Sequence, residues 1–220
     1  MRAMKAQRPA TPRTRVRRHP ERAAYDRSTI DRILDEALIC HIGFVVDGVP
    51  WVVPTMYARE GDFLYVHGSP VSRMLKTAGS GAEVCVTVTL LDGLVLARSA
   101  FHHSMNYRSV MLVGQPELVT AMPEKMAAFR ALVEHVVPGR WNDIRPTSTK
   151  ELKATMVLRL PIEEASCKLR AGGPGDPSQD AELPAWAGVI PVQLAAGRPV
   201  PADDLGHGLS VPAYVADYRR

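Results

Sequence analysis

The sequence predicts a mainly β protein, an antiparallel β-barrel with flanking helices, and three observations support this. Asp-Gly turns at 47–48 and 92–93 each join two apolar runs rich in β-branched residues, a pattern typical of hairpins. Five or six extended runs follow one another up to Gly114 with one short helix among them, which favours a barrel over alternating βα units. Neither G-x-G-x-x-G nor G-x-x-x-x-G-K occurs, so the glycine motifs of parallel nucleotide-binding sheets are absent.

Composition predicts one folded domain with two extensions. The 220 residues, 46% of them hydrophobic, are enough to bury a single core. We expect a disordered basic arm over 1–22, a barrel domain over 23–192 and a Pro/Gly-rich tail over 193–220. The arm holds eight Lys or Arg against Glu21, a net +7, which leaves −3 of the total +4 to the remaining chain. Because the body is mildly acidic and the arm lacks apolar periodicity, specific nucleic-acid binding is not expected.

The cysteines and the apolar runs indicate the compartment. Cys40, Cys85 and Cys167 form neither a disulfide framework nor a metal-binding spacing, so we expect reduced thiols in a cytoplasmic protein. No apolar run approaches 18 residues, and no apolar segment follows the basic N-terminus. The sequence therefore predicts neither a membrane span nor a secretory signal.

The first hairpin contains an unusual strand. Its strands are predicted over 41–46 and 49–57, on either side of the first Asp-Gly turn. Pro50 and Pro54 lie inside the second strand, and proline cannot donate a ladder hydrogen bond, so this strand is predicted to be an edge or bulged strand. The backbone at Pro54 and Thr55 is then free to face a ligand.

The next strand leads into a candidate phosphate site. Residues 63–66 form an extended run that ends at His67, and a helix is predicted over 72–78. Ser72 and Arg73 stand at the start of this helix, where unpaired N–H groups favour an anion. The turn therefore predicts a bound flavin phosphate, and an ordinary capped turn is the alternative interpretation.

The other elements follow from hydrophobic periodicity and turn residues. They are a helix over 28–38 capped by Ser28, a hairpin with strands over 83–91 and 94–97, a strand over 107–114, a helix over 122–135, a strand over 155–160 and an extended segment over 167–170.

Four short motifs carry a resemblance to a known family. The motifs are Tyr65–Ser69, Ser72–Arg73, Asn106–Gly114 and Ala185–Pro191. In this order, over residues 20–192, they resemble the pyridoxamine 5′-phosphate oxidase-like family of FMN-binding split barrels, and within it the nitroimidazole-resistance-type flavoproteins. The resemblance implies a split barrel, an FMN cofactor and a homodimer with the flavin between its subunits.

The resemblance also implies site residues. Ser72 and Arg73 match the phosphate-binding pair, and Met74 stands where the family often has a lysine, a charge that Lys76 could restore. The other cofactor-binding residues that it implies are Val53, Pro54, Thr55, Val66, His67, Gly68, Ser69, Arg108, Ser109, Lys168 and Trp186.

The function implied is an FMN-dependent oxidoreductase acting on a small organic substrate. After Trp186, Val189–Pro191 replaces the Arg-Leu-His run with which the vitamin-converting oxidase grips a phosphate. An apolar run cannot hold a phosphate dianion, so pyridoxamine phosphate is not expected as the substrate. A non-catalytic flavin- or haem-binding protein on the same barrel is the alternative, and a deazaflavin enzyme is a third possibility. No catalytic residue is assigned.

Histidines are the remaining candidates for chemistry. His67 is predicted beside the cofactor, where an imidazole can transfer protons. Adjacent residues on a strand point to opposite faces, so His102 and His103 are poor joint ligands and no metal site is predicted.

Overall fold

The computed structural model describes residues 11–206 and 208–219. The strands are β1 (Ala23–Ala24), β2 (Ile39–Val46), β3 (Val49–Met56), β4 (Ala58–Glu60), β5 (Phe63–Gly68), β6 (Val84–Leu96), β7 (Ser104–Gly114), β8 (Glu117–Leu118), β9 (Met156–Pro161), β10 (Glu164–Arg170) and β11 (Gly188–Pro191). The helices are α1 (Arg27–Glu36), α2 (Arg73–Gly79), α3 (Met122–Val136), α4 (Thr149–Ala154) and α5 (Ala213–Ala216).

Two antiparallel sheets form the predicted split barrel. The larger sheet has the order β1-β10-β7-β6-β2-β3, with β11 paired to one end of β6, and the smaller sheet has the order β4-β5-β9-β8. Buried side chains from both sheets, α1 and α2 form one apolar core. We call the side of the larger sheet that meets this core the core face and the opposite side the outer face. The predicted fold class is confirmed.

The hairpin β2–β3 forms as predicted. Asp47 and Gly48 have φ values of 52° and 77°, the left-handed pair that a two-residue turn needs. β3 pairs with β2 on one side only and is the end strand of the larger sheet, so the edge position predicted from Pro50 and Pro54 is confirmed.

The prediction of a second hairpin at Asp92-Gly93 is wrong. β6 runs without a turn from Val84 to Leu96 and pairs with β7 on both sides of a bulge at Asp92. Gly93 is needed here for a close approach, because a Cβ atom would lie 3.1 Å from the carbonyl oxygen of Ile190 on β11. The dipeptide therefore marks a bulge with a crossing strand beside it, a tertiary cause that the local pattern does not reveal.

Two helix starts differ from the prediction. The cap of α1 is Asp26 instead of Ser28, since its carboxylate accepts the N–H of Thr29 at 2.8 Å while the Ser28 hydroxyl donates to the same carboxylate. Residues before β9, for which no helix was predicted, form α4 with a capping box between Ser148 and Glu151.

Both chain extensions contact the body where they are described. In the basic arm, Thr14 is buried and Arg13 forms ion pairs with Glu83 and Glu164. In the tail, the Tyr218 hydroxyl donates to the carbonyl of Val136 at 2.8 Å. The described part of the arm is thus packed on the body, and the division at residues 22 and 192 stays a prediction.

None of the helices within 11–206 and 208–219 is long and apolar enough to cross a membrane. The three cysteines are free thiols, and burial raises the pKa of Cys40 and that of Cys167 to about 12. These two thiols are therefore inert core side chains at neutral pH.

Candidate functional site

The edge strand β3 lines one side of the candidate site. Val53 and Thr55 pair with Ile42 and Cys40, both buried, so these two side chains lie on the core face. Pro54 lies between them on the outer face. A ligand along the free edge of the sheet would therefore meet Val53 and Thr55 together with unpaired backbone groups.

Trp51 is a candidate site residue that the sequence prediction missed. It lies two residues before Val53 and pairs with the buried Phe44, so its indole is also on the core face. The indole is 42% exposed, and the Cζ atom of Arg73 lies 4.5 Å from its ring centroid. Strand alternation was the available signal, because an aromatic residue in phase with Val53 and Thr55 must share their face.

The turn between β5 and α2 covers residues 69–72 and is tightly formed. We call it the phosphate turn, after the ligand that the sequence predicts for it. The N–H of Ser72 donates to the carbonyl of Ser69 at 2.9 Å, and the Ser69 hydroxyl accepts the N–H of Val71 at 3.4 Å. The Ser72 hydroxyl caps α2 by accepting the N–H of Leu75 at 3.5 Å. Each hydroxyl accepts a backbone N–H and can still donate its own hydrogen to a ligand. The capped turn and the anion site, which the sequence offered as alternatives, are therefore compatible.

Arg73 carries the free positive charge of this turn. Its side chain is exposed, and no carboxylate of a described residue lies within ion-pair distance of its guanidinium. Lys76, one turn later, is also exposed. These two cations are therefore available to an anionic ligand.

Three predicted site residues contribute to the packing of β5 and α2. Val66 and Met74 are 5% and 6% exposed and belong to the core, so their side chains are not part of the open site. Gly68 lies at the end of β5, where a Cβ atom would be 3.0 Å from the Leu75 side chain. This glycine lets α2 approach the strand closely.

His67 lies on the opposite face of β5 from Val66. Its ring packs against Phe129 of α3 with 5.3 Å between centroids. Its Nδ1 atom is buried and has no hydrogen-bond partner among the described residues, and burial lowers the pKa of the imidazole. His67 is therefore neutral at pH 7 and packs against α3.

Arg108 is held by two carboxylates. It donates to both oxygens of Asp92, at 2.8 and 3.0 Å, and to both oxygens of Glu36, which raises its pKa. The group lines a cavity of about 710 Å³ that the segment after β11 closes on one side. Because its charge is already neutralised, Arg108 is a poor candidate for binding a cofactor phosphate.

Ser109 and Lys168 lie on the other side of the sheet from Arg73. They are register partners on β7 and β10, next to the buried Val110 and Cys167, so they occupy the outer face. β7 lies three strands from β3, about 14 Å at ordinary strand spacing. One copy of the chain therefore does not bring these predicted residues together with the phosphate turn.

Trp186 is 68% exposed and packs on its own segment. A Cβ atom at Gly188 would lie 2.7 Å from the indole, so the Trp-x-Gly spacing lets the ring lie against Gly188. The exposed side of the ring remains open to a ligand or a partner.

His103 has the geometry of a potential metal ligand. Its Nδ1 atom lies 2.9 Å from the carbonyl oxygen of Ser99. A carbonyl can only accept, so Nδ1 carries the hydrogen and, in the neutral ring, the lone pair is on Nε2. The side chain is exposed, and along the chain it lies between Phe101, which is 89% exposed, and Met105, which is 54% exposed. The ring is thus an exposed imidazole whose orientation is set by the Ser99 carbonyl.

Sequence comparison identifies a family but no curated relative. The sequence model of the family described as Pyridoxamine 5′-phosphate oxidase matches residues 26–169. No curated protein sequence matches the chain significantly.

Several solved structures resemble the chain over two thirds of its length or nearly all of it. The flavocytochrome Anf3 from Azotobacter vinelandii is 41% identical, with a TM-score of 0.90 over 96% of this chain and 99% of that chain. The FAD and haem binding protein from Mycobacterium smegmatis is 37% identical, with a TM-score of 0.84 over 88% and 95%. A proposed 5-nitroimidazole antibiotic resistance protein from Bacteroides thetaiotaomicron is 27% identical, with a TM-score of 0.55 over 66% and 85%.

Proposed function

The chain belongs to the pyridoxamine 5′-phosphate oxidase family and has its flavin-binding split-barrel fold, and from this premise we propose that it is a redox protein holding a flavin and a haem. The observation that carries the proposal is the 41% and 37% identity to a flavocytochrome and to an FAD and haem binding protein, each over at least 88% of this chain. The proposal keeps the flavin that the sequence predicts and adds the haem, which the sequence analysis named as part of the alternative function.

The residues at the β3 edge fit a flavin. Arg73 and Lys76 supply unpaired positive charge, and Ser69 and Ser72 supply hydroxyl donors for a phosphate. Val53 and Thr55 offer a partly apolar strand edge for the ring system. FMN is the flavin that the sequence predicts, and we propose FAD in its place because one close structural relative is named as an FAD binding protein.

The surroundings of His103 fit a haem. The bond from Nδ1 to the Ser99 carbonyl leaves the lone pair on Nε2, so His103 is the residue that would hold a haem iron, and metal-ligating histidines commonly donate their second N–H in this way. Leu94 pairs with Ile190 on one side and with Met105 on the other, so the three side chains form a row on one exposed face of the sheet. Such a row suits the apolar face of a porphyrin.

A homodimer accounts for the separation of the predicted flavin residues. Val52, 66% exposed, and Val45, 56% exposed, lie together on the outer face. We propose that a second copy covers this surface and brings its Ser109 and Lys168 to the phosphate turn of the first.

The chemistry follows from the two cofactors. A bound flavin exchanges two electrons with an organic molecule and a haem iron carries one electron at a time, so the pair would link two-electron and one-electron partners. The chain would position both groups: Arg73 binds the phosphates, the β3 edge orients the flavin and His103 fixes the haem. The substrate is proposed to be a small organic molecule, as the sequence predicts, and not pyridoxamine phosphate.

The visible spectrum of the purified protein tests the cofactor content. We expect the two bands of an oxidised flavin together with the Soret band of haem, and FAD as the flavin released on denaturation. Reduction of the flavin by NADH or NADPH, followed by reduction of the haem, would support a redox role. A protein that takes up neither cofactor after reconstitution would contradict the proposal.

Light scattering after size-exclusion chromatography tests the dimer. We expect twice the 24.1 kDa of the chain, and a Val52→Glu variant should be monomeric with an unchanged circular dichroism spectrum. A monomeric wild-type protein that still binds flavin would contradict the shared site.

A further inference from the structure

We propose that Trp51 and Arg73 together form the subsite for the adenine of FAD and so decide the choice of FAD over FMN. The inference rests on the proposed flavin binding and adds the residue pair that selects the cofactor. It depends on the position of the Trp51 indole, on the interaction of Arg73 with it and on the chemical distance between adenine and diphosphate in FAD.

The Trp51 indole is open to a ligand and is not buried in the core. Register with Phe44 puts it on the core face of β3, yet 42% of its surface is exposed, whereas Phe44 is 4% exposed. β3 is the edge strand, and Trp51 lies near its hairpin end, where it has a neighbouring strand on one side only. An exposed indole with one face occupied by a cation can accept a flat aromatic ring on its other side.

Arg73 connects the indole to the phosphate turn. Its guanidinium lies over the ring, with 4.5 Å between Cζ and the centroid, although the two residues belong to different elements. No carboxylate of a described residue competes for this guanidinium. Its charge is therefore free to neutralise a diphosphate while its planar group orients the indole.

The chemistry of the two flavins gives this pair its discriminating role. In FAD the adenine is separated from the diphosphate by a single ribose, so an adenine subsite must adjoin the diphosphate site. FMN ends at its phosphate and lacks the adenosine that would stack on Trp51. Stacking of a base on an aromatic side chain contributes about fivefold to a hundredfold in affinity, enough to prefer FAD when both flavins are present.

The test compares FAD and FMN binding to the full chain. Flavin-free protein is titrated with each flavin, and quenching of flavin fluorescence gives the two dissociation constants. In Trp51→Ala we expect the constant for FAD to rise at least fivefold and that for FMN to change less than twofold. Trp51→Phe should keep most of the FAD affinity, and Trp141→Ala, which alters a tryptophan of the 3-10 turn Arg140–Asp143, is the matched control.

Each other outcome overturns the proposal. Equal loss of both flavins in Trp51→Ala, or loss of the dimer on size exclusion, would make Trp51 a structural or subunit-contact residue. Unchanged FAD affinity would remove it from the site. Wild-type protein that binds FMN at least as tightly as FAD would overturn this inference and leave flavin binding intact, whereas wild-type protein that binds neither flavin would overturn both proposals.

Discussion

The indole of Trp186 lies against Gly188 so closely that a Cβ atom on Gly188 would be 2.7 Å from the ring. Because Trp186 is 68% exposed, Gly188→Ala should displace the ring instead of disrupting the sheet. We expect a loss of less than about 1 kcal/mol in the free energy of unfolding and a changed tryptophan fluorescence spectrum. In a Trp186→Ala background the glycine substitution should have no effect on stability, and a loss that persists there would contradict direct contact as the cause.

Arg73 should be required for flavin binding. Removing a charge-assisted contact to a phosphate costs on the order of 1.5 to 3 kcal/mol, so Arg73→Ala should weaken flavin binding about tenfold to a hundredfold. Arg73→Lys should recover part of the loss, since it keeps the charge. Lys153→Ala, an exposed lysine on α4, is the control. Titration of flavin-free protein measures the change, and wild-type affinity in Arg73→Ala would exclude this residue from the phosphate site.

Arg108 should contribute to stability more than to flavin binding. Arg108→Ala leaves Glu36 and Asp92 without the guanidinium they share. Since the group is about one third exposed, we expect a loss of about 1 to 2 kcal/mol in the free energy of unfolding by urea. The double variant Arg108→Ala with Glu36→Gln should recover part of the loss. A variant of wild-type stability that no longer binds flavin would assign Arg108 to the cofactor.

His67 should make the protein less stable in mild acid. Burial lowers its pKa below the usual 6.5, so below about pH 6.5 the unfolded chain binds a proton that the folded chain resists. Stability therefore rises with pH through this range and stops rising above it. We expect the difference in melting temperature between pH 5 and pH 7.5 to be smaller in His67→Gln than in the wild type. An identical pH dependence in the two proteins would show that His67 is protonated as easily as in the unfolded chain.

His103 should be required for haem coordination and not for flavin binding. We expect His103→Ala to lose the Soret band or to shift it, with the amount of bound flavin unchanged. His102→Ala is the neighbouring control, since the His102 ring packs edge-on against Phe101. Electron paramagnetic resonance of the oxidised protein reports the axial ligands directly. A wild-type spectrum in His103→Ala would assign the iron ligand to another residue.

Two confirmed predictions about the first hairpin depend on residues near each other in sequence. The hairpin at Asp47-Gly48 depends on two left-handed residues, and the edge position of β3 depends on its own prolines. The Asp92-Gly93 dipeptide predicted a hairpin turn wrongly, because a bulge beside β11 also requires a glycine. A local pattern can show that a glycine is needed without showing which of two causes requires it.

Sequence alone determined the antiparallel fold, the capped turn before α2 and the family, since strand alternation, capping and short motifs depend on residues a few positions apart. Only the tertiary structure decided which predicted site residues share a surface. Arg73 and Trp51, 22 positions apart, meet because α2 packs on β2, the strand that pairs with β3, whereas Ser109 lies across the sheet from both. The physical reason is that the face on which a side chain lies follows from its strand's register with neighbours distant in sequence.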